Sequence, residues 1–226
     1  MNEPFDMKTS IPMSRAELAA RGVGQPDFVL VTGDALVDHP SFGTAIIART
    51  LMSRGYSVAV IAQPDWHGAE AFRAFGRPRL AFLVNSGNMD SMVNHYTAAK
   101  KQRSEDAYTP GGEAGKRPDR AVIVYANRCR EAYRGVPVVI GGIEASLRRF
   151  AHYDYWDDKV RRSILSDSGA DILIYGMGER QIVDVADALA SGLPAEQITY
   201  IPGTCAMSNS LDTVYDCIEI PGFDEV

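Results

Sequence analysis

Cysteine is scarce in this 226-residue chain, and where the three cysteines lie excludes more than their number does. Cys129, Cys205 and Cys217 form no CxxC pair and no even-numbered framework, which argues against a disulfide scaffold and against a structural zinc site within the chain. That pattern agrees with a reducing compartment. Long apolar runs are missing too: no stretch approaches the roughly 18 unbroken apolar residues of a membrane span, so no membrane partner is expected. The amino terminus carries acids and has no apolar core of signal type, which makes the cytoplasm the expected compartment. Positive charge is in deficit, with a net charge of −6, so nothing draws the whole molecule toward nucleic acid and no such partner is expected.

What the chain does have is a series of short β-branched stretches separated by helical periods. Residues 28–32, 57–62, 80–84, 136–140 and 170–175 read as buried parallel strands, with 198–201 as a last edge strand. Helices are expected over 40–55, 68–75, 88–98, 119–133 and 179–191; the run Val122 to Val124 keeps a strand as the lesser alternative within 119–133. Ser14-Arg15-Ala16-Glu17 matches a capping box ahead of a short helix over 16–20. The alternation predicts an α/β fold, a Rossmann-like, doubly wound, mainly parallel sheet of five to six strands. Residues 1–25 are expected as a lead-in with a short helix, 26–204 as the Rossmann-like domain, and 205–226 as a divergent tail or the start of a further unit.

In open α/β sheets ligands collect outside the carboxyl ends of the strands. Gly141, Gly142, Glu144, Gly176, Gly178 and Glu179 follow the strands at 136–140 and 170–175 and are expected to line one edge of one site; the glycines would also serve tight turns. After the first strand, Gly33-Asp34-Ala35-Leu36-Val37-Asp38-His39-Pro40 sits at a strand-to-helix turn, where free N–H groups and the helix dipole favour an anion. It is not a GxGxxG fingerprint, and Asp34 and Asp38 would repel a pyrophosphate, so a nicotinamide site is not expected. Asp38 reads first as a helix cap. Asn88 and Asp90, within NSGNMDSM after the third strand, add hydrogen-bonding groups at the same edge or cap the next helix.

Two stretches stand apart from the strand and helix pattern. Residues 100–118 are polar and glycine-rich and too long for an ordinary connection, which marks a functional or mobile loop. Residues 148–162 mix four arginines with four aromatics. Such a segment can stack bases or clamp phosphates, but three aspartates within it support an intramolecular ion-pair network against a neighbouring domain at least as well. His152 has no second histidine at metal spacing, so no metal ligand is expected there.

TGDALVDHPSFG (32–43), IAQPDW (61–66), GRPRL (76–80), NSGNMDSMVNHYTAAKK (85–101), DAYTPGG (106–112), GGIEASLRRFAHYDYWDDKVRRSIL (141–165) and YGMGERQI (175–182) together resemble the amino-terminal part of the YgiQ-type radical SAM proteins. The resemblance runs from about residue 12 to about residue 204. It implies a domain like the cobalamin-binding domain of radical SAM enzymes, preceding a radical SAM barrel. In that family a CxxxCxxC motif on the barrel holds a [4Fe–4S] cluster that cleaves S-adenosylmethionine. The three cysteines here do not supply that motif, so no cluster ligand is carried over and this chain alone is not expected to be catalytic. Asp65-Trp66-His67-Gly68 shares letters with the DxHxxG cobalamin signature but lacks its glycine spacing and follows the second strand instead of the first. His67 therefore reads as an exposed loop residue, which counts against base-off cobalamin binding. The expected partners are a radical SAM barrel and a small-molecule substrate that the resemblance leaves open. Two other readings are a stand-alone module binding a cobalamin-like or S-adenosylmethionine-like ligand without catalysis, and a structural unit docking through residues 148–162.

Overall fold

The computed structural model describes residues 10–210 and 216–225; positions 1–9 of the lead-in and 211–215 and 226 of the tail lie outside the described residues. The capping box forms: Glu17 N–H donates to the Ser14 hydroxyl, and the Glu17 carboxylate accepts from Ser14 N–H, opening α1 (Arg15–Ala19). β1 (Phe28–Thr32) follows, then α2 (Gly43–Ser53), β2 (Val58–Ala62), β3 (Ala81–Asn85) and the single helical turns of α3 (Ser91–His95). α4 (Ala121–Ala132) leads to β4 (Val138–Ile140), α5 (Gly142–Leu147), a hairpin of β5 (His152–Asp154) and β6 (Lys159–Arg161), and α6 (Ile164–Ser168). β7 (Ile172–Ile174), α7 (Glu179–Ala190) and β8 (Thr204–Ala206) complete the described fold.

Six strands make the main sheet in the order β2-β1-β3-β4-β7-β8. The first five are parallel, in register through Phe28↔Val58, Phe28↔Ala81, Phe82↔Val138 and Val139↔Ile172. β8 closes the edge antiparallel to β7, with Ile174 opposite Thr204. Alternate side chains of each strand enter opposite cores. Phe28, Leu30, Val58, Val60 and Leu83 face α2 and α7, whereas Val29, Val31, Ala59, Phe82 and Val84 face α4 and α6. Both layers are apolar, which is why the strands read as continuous hydrophobic runs. Consecutive crossovers part to opposite sides between β1 and β3, the switch point of a doubly wound sheet.

Several expectations are corrected. Residues 198–201 are not a strand: Ile198 and Ile201 are buried anchors, Pro202 interrupts the run, and the edge strand forms only after a turn at Gly203. The helix expected over 68–75 is a 3-10 turn at Ala71–Arg73, and the one over 88–98 shrinks to α3 because Tyr96 leaves the helix to bridge Gln102. The helix expected over 119–133, by contrast, forms as α4 and includes Val122 to Val124. Asp38 does not cap α2, whose N-cap is Phe42 without a side-chain bond; it forms an ion pair with Arg49.

Candidate functional site

The site is built at the carboxyl edge of β1, β3, β4 and β7. Thr32 and Asn85 are the last residues of neighbouring strands and lie in register, so the Thr32 hydroxyl donates to Asn85 Oδ1 at 2.8 Å. Gly87 N–H donates to the same oxygen at 2.8 Å, and the Thr44 hydroxyl on α2 lies 3.2 Å from that of Thr32. This polar knot fixes one end of a cavity of about 350 Å³ between α2 and α7. Its floor is apolar, with Leu30, Leu83, Val139 and Ile174 from the strands and Ile47 and Ile182 from the helices. Its rim is mostly backbone, from Gly43, Gly87, Gly141, Gly142, Gly176 and Gly178. Gly142 shows why: its φ is +81°, and a Cβ there would stand 3.2 Å from Asn85 Cβ. A cavity of this size, apolar with a few convergent polar groups, suits a small molecule or part of a larger one.

The residues singled out from the sequence divide into three groups. Gly141, Gly142, Gly178 and Glu179 line the cavity. Asp38 and His39 sit on the loop before α2, the former paired with Arg49 and the latter accepting Ser41 N–H at its Nδ1. Asp34, Asp90 and Glu144 are buried beneath the loops and already engaged. Asn88 bridges the groups: its N–H donates to Asp34 Oδ2 at 2.7 Å, and its amide reaches the Ser41 carbonyl and Gly43 N–H.

The buried carboxylates organise the edge from within. Glu144 accepts Ser91 N–H at 2.8 Å and Val122 N–H at 3.0 Å, capping the starts of α3 and α4 from a third helix. Burial nevertheless pushes its carboxyl up, against those hydrogen bonds. Asp90 caps α3 through Met92 and Val93 N–H and pairs with Arg148. Arg117, 1% exposed, is the centre that sequence reasoning missed. It donates to Asp106 Oδ2 at 2.9 Å and to the Ser86 carbonyl at 2.8 Å. Its Nη1 also lies 2.8 Å from Asp34 Oδ1, a charge contact without hydrogen-bond alignment. Burial pushes Asp34 up, with Asn88 N–H and Arg117 opposing it. For Asp106, burial is outweighed by Tyr108 N–H and Arg117, which hold its carboxyl below the usual range.

Around Arg117 the long polar stretch is stitched down rather than loose. Ala35 N–H donates to the Tyr108 carbonyl at 2.9 Å, and Gln63 reaches Thr109 Oγ1 at 2.6 Å. Two of the four arginines of 148–162, Arg148 and Arg161, are turned onto carboxylates of the same chain. Arg161 pairs with Asp157 and Asp167, and Arg120 anchors the hairpin through Asp154 at 2.9 Å. These pairs all lie within the chain, while Arg149 instead stands 4.8 Å from the Phe150 ring and 4.9 Å from that of Tyr175.

The cysteines do not fit a cluster. Cys129 is buried in α4 with its thiol pushed up by burial, Cys205 lies on β8 with its thiol also raised by burial, and Cys217 is exposed in the tail. Among the described residues no group of three or more His, Cys, Asp or Glu side chains is placed to hold a metal ion. Among them, too, no helix is long and apolar enough to cross a membrane.

Fold and cavity together define the class, a Rossmann-like, doubly wound α/β domain with a cavity at the carboxyl edge of its parallel strands. The chain belongs to the radical SAM N-terminal family, whose model matches residues 10–226. A UPF0313 protein of Clostridium perfringens is 62% identical over 217 residues, covering 96% of this chain and 33% of its own length. A UPF0313 protein of Clostridium botulinum is 57% identical over 216 residues, covering 96% and 34%. The chain thus spans about a third of the relatives it matches. Among solved structures, the radical S-adenosylmethionine methyltransferase TsrM from Kitasatospora setae, with tryptophan substrate and the SAM analog aza-SAM bound, overlays with a TM-score of 0.53 at 19% identity, covering 81% of this chain and 29% of that one. TsrM with cobalamin and a [4Fe–4S] cluster bound gives a TM-score of 0.51 at 20% identity, with 82% and 28% covered. At that identity the likeness speaks for the fold.

Proposed function

We propose that this chain forms the amino-terminal wall of a radical SAM, [4Fe–4S]-dependent active site, and that its glycine-rimmed cavity receives part of the cofactor or substrate facing the cluster. The observation that carries this reading is the cavity itself, at the switch point of a domain that makes up one third of longer family members. The cluster and its cleavage of S-adenosylmethionine would be supplied by the remainder of such a protein. This chain's own part is to bind and orient. The apolar floor takes a flat apolar group, Asn85 and Thr44 offer hydrogen bonds at one end, and the bare backbone rim lets the ligand approach closely. No histidine lines the cavity, and His67 is committed to Asp65 and stacked on Trp66, so a histidine ligand to cobalt does not fit here.

The test is a titration of the family-length, cluster-reconstituted protein with hydroxocobalamin, comparing wild type with Ile47→Trp, which fills the cavity from α2. Saturable binding weakened at least about tenfold by the variant, some 1.4 kcal/mol, supports the cavity as the cofactor's seat. Binding that ignores the variant contradicts that seat. The cavity's chemistry supports a second reading: an apolar floor under a bare backbone rim can hold a small ligand without a cluster beside it. A binding module without catalysis therefore requires this chain alone to bind cobalamin or S-adenosylmethionine saturably, and failure of well-folded protein to do so removes it.

A further inference from the structure

Beside the cavity, residues 142–177 carry a group of exposed large apolar side chains. Ile143 and Leu147 stand one turn apart on the same face of α5, and Leu147 is 62% exposed. Phe150 at the root of the hairpin and Tyr153 on β5 are also exposed, and Met177, in the loop after β7, is 87% exposed. Of these, α5, Phe150 and the loop of Met177 are tied to one another. The Ser146 hydroxyl accepts Gly176 N–H at 3.1 Å, the Ser146 carbonyl accepts from Arg149 at 2.7 Å, and the Arg149 guanidinium lies 4.8 Å from the Phe150 ring and 4.9 Å from that of Tyr175. Met177 also lines the cavity, so the surface adjoins its mouth. Clustered apolar side chains of this kind mark contact with another macromolecular surface.

We infer that this surface is covered by the polypeptide that follows this region in the family-length protein. Two observations select that occupant. The relatives carry about two thirds of their length outside the matched region, and that length is tethered to this domain. The tail also returns to the 142–177 segment, where the Arg162 guanidinium, one residue beyond β6, lies 5.6 Å from the Phe223 ring. Packing against α5, Phe150 and Met177 closes the cavity mouth and excludes water from it. The inference rests on the radical SAM reading above.

The test is limited peroxide oxidation of the family-length protein, with methionine sulfoxide at Met177 and Met13 followed by peptide mass spectrometry. Left uncovered, Met177 at 87% exposure should oxidise about twice as fast as Met13 at 47%. The covered surface predicts the reverse, Met177 slower than Met13 by at least about fivefold. Met177 oxidising faster than Met13 overturns the inference. Protection that vanishes on dilution to the monomer assigns a second copy to the surface and overturns it equally. Iron content of the same sample separates the two levels: a cluster with a reactive Met177 removes only the docking surface, whereas absence of a cluster removes the radical SAM reading beneath it.

Discussion

Arg117 sits where the loops after β1 and β3 meet the long stretch after α3, and its side chain is wholly withdrawn from water. Breaking a buried ion pair from one side leaves charges without compensation, so Arg117→Met should destabilise the domain by about 3–5 kcal/mol. Urea unfolding checks this, and a loss below about 1 kcal/mol would show that the loops hold without it. The surrounding carboxylates set an unusual pH profile. Asp34 and Glu144 are raised in the fold, so their ionisation opposes folding, and they add stability as the pH falls toward their unfolded values near 4. Asp106, Asp154 and Asp157 are lowered, because hydrogen bonds and arginines outweigh their burial. Their contribution is full above roughly pH 4 and is lost as the pH falls through their folded values. Unfolding free energy should therefore hold or rise from pH 7 to about 4.5 and drop below about 4, with Asp106→Asn flattening the drop. A steady decline beginning near pH 6 would contradict this balance. Arg117 was illegible in the sequence because a buried arginine in a polar, glycine-rich stretch has no period or motif; only the partners brought by the fold reveal it. For Asp90 the sequence left a helix cap and a place at the site's edge open, and Glu144 was placed at that edge: a carboxylate beside a helix start looks the same whether it faces a ligand or a backbone N–H.

At the scale of elements, the sequence carried most of the information where burial is two-sided. β1 lies where its apolar run begins and ends, and α7 follows its apolar period closely, because each is decided by contacts that repeat along it. Legibility fell where tertiary bonds override local preference. α3 stops after five residues because Arg103 N–H takes the His95 carbonyl and Thr97 bonds Lys101, which turns the chain away from a further helical turn. The hairpin within 148–162 is held by Arg120 and by Lys100, which reaches the Trp156 carbonyl, and distant partners of that kind leave no local pattern. The loop after β3 gives a sharp test. Gly87 has φ +109°, and a Cβ on it would meet Asp34 Oδ1 at 2.0 Å. Gly87→Ala should cost at least about 2 kcal/mol and disturb the Asn88 contact with Asp34. Thermal unfolding reads the cost, and wild-type stability in the variant would mean that this loop is freer than its packing indicates.

For the whole molecule, the glycine-rimmed edge was legible because carboxyl ends of parallel strands gather in one place, and the polar knot of Thr32, Thr44 and Asn85 was not, since it depends on the register of β1 against β3. The architecture divides labour: this domain offers a cavity and a set of fixed loops, and its cysteines are dispersed among a helix core, an edge strand and the tail. The central claim is that the redox chemistry belongs to the longer protein and the binding wall to this domain. Anaerobic reconstitution with iron and sulfide, run in parallel on this chain and on its family-length form, tests it most directly. The account predicts broad visible absorption and S-adenosylmethionine cleavage from the longer form and neither from this chain. A stoichiometric, S-adenosylmethionine-cleaving cluster on this chain alone would contradict it.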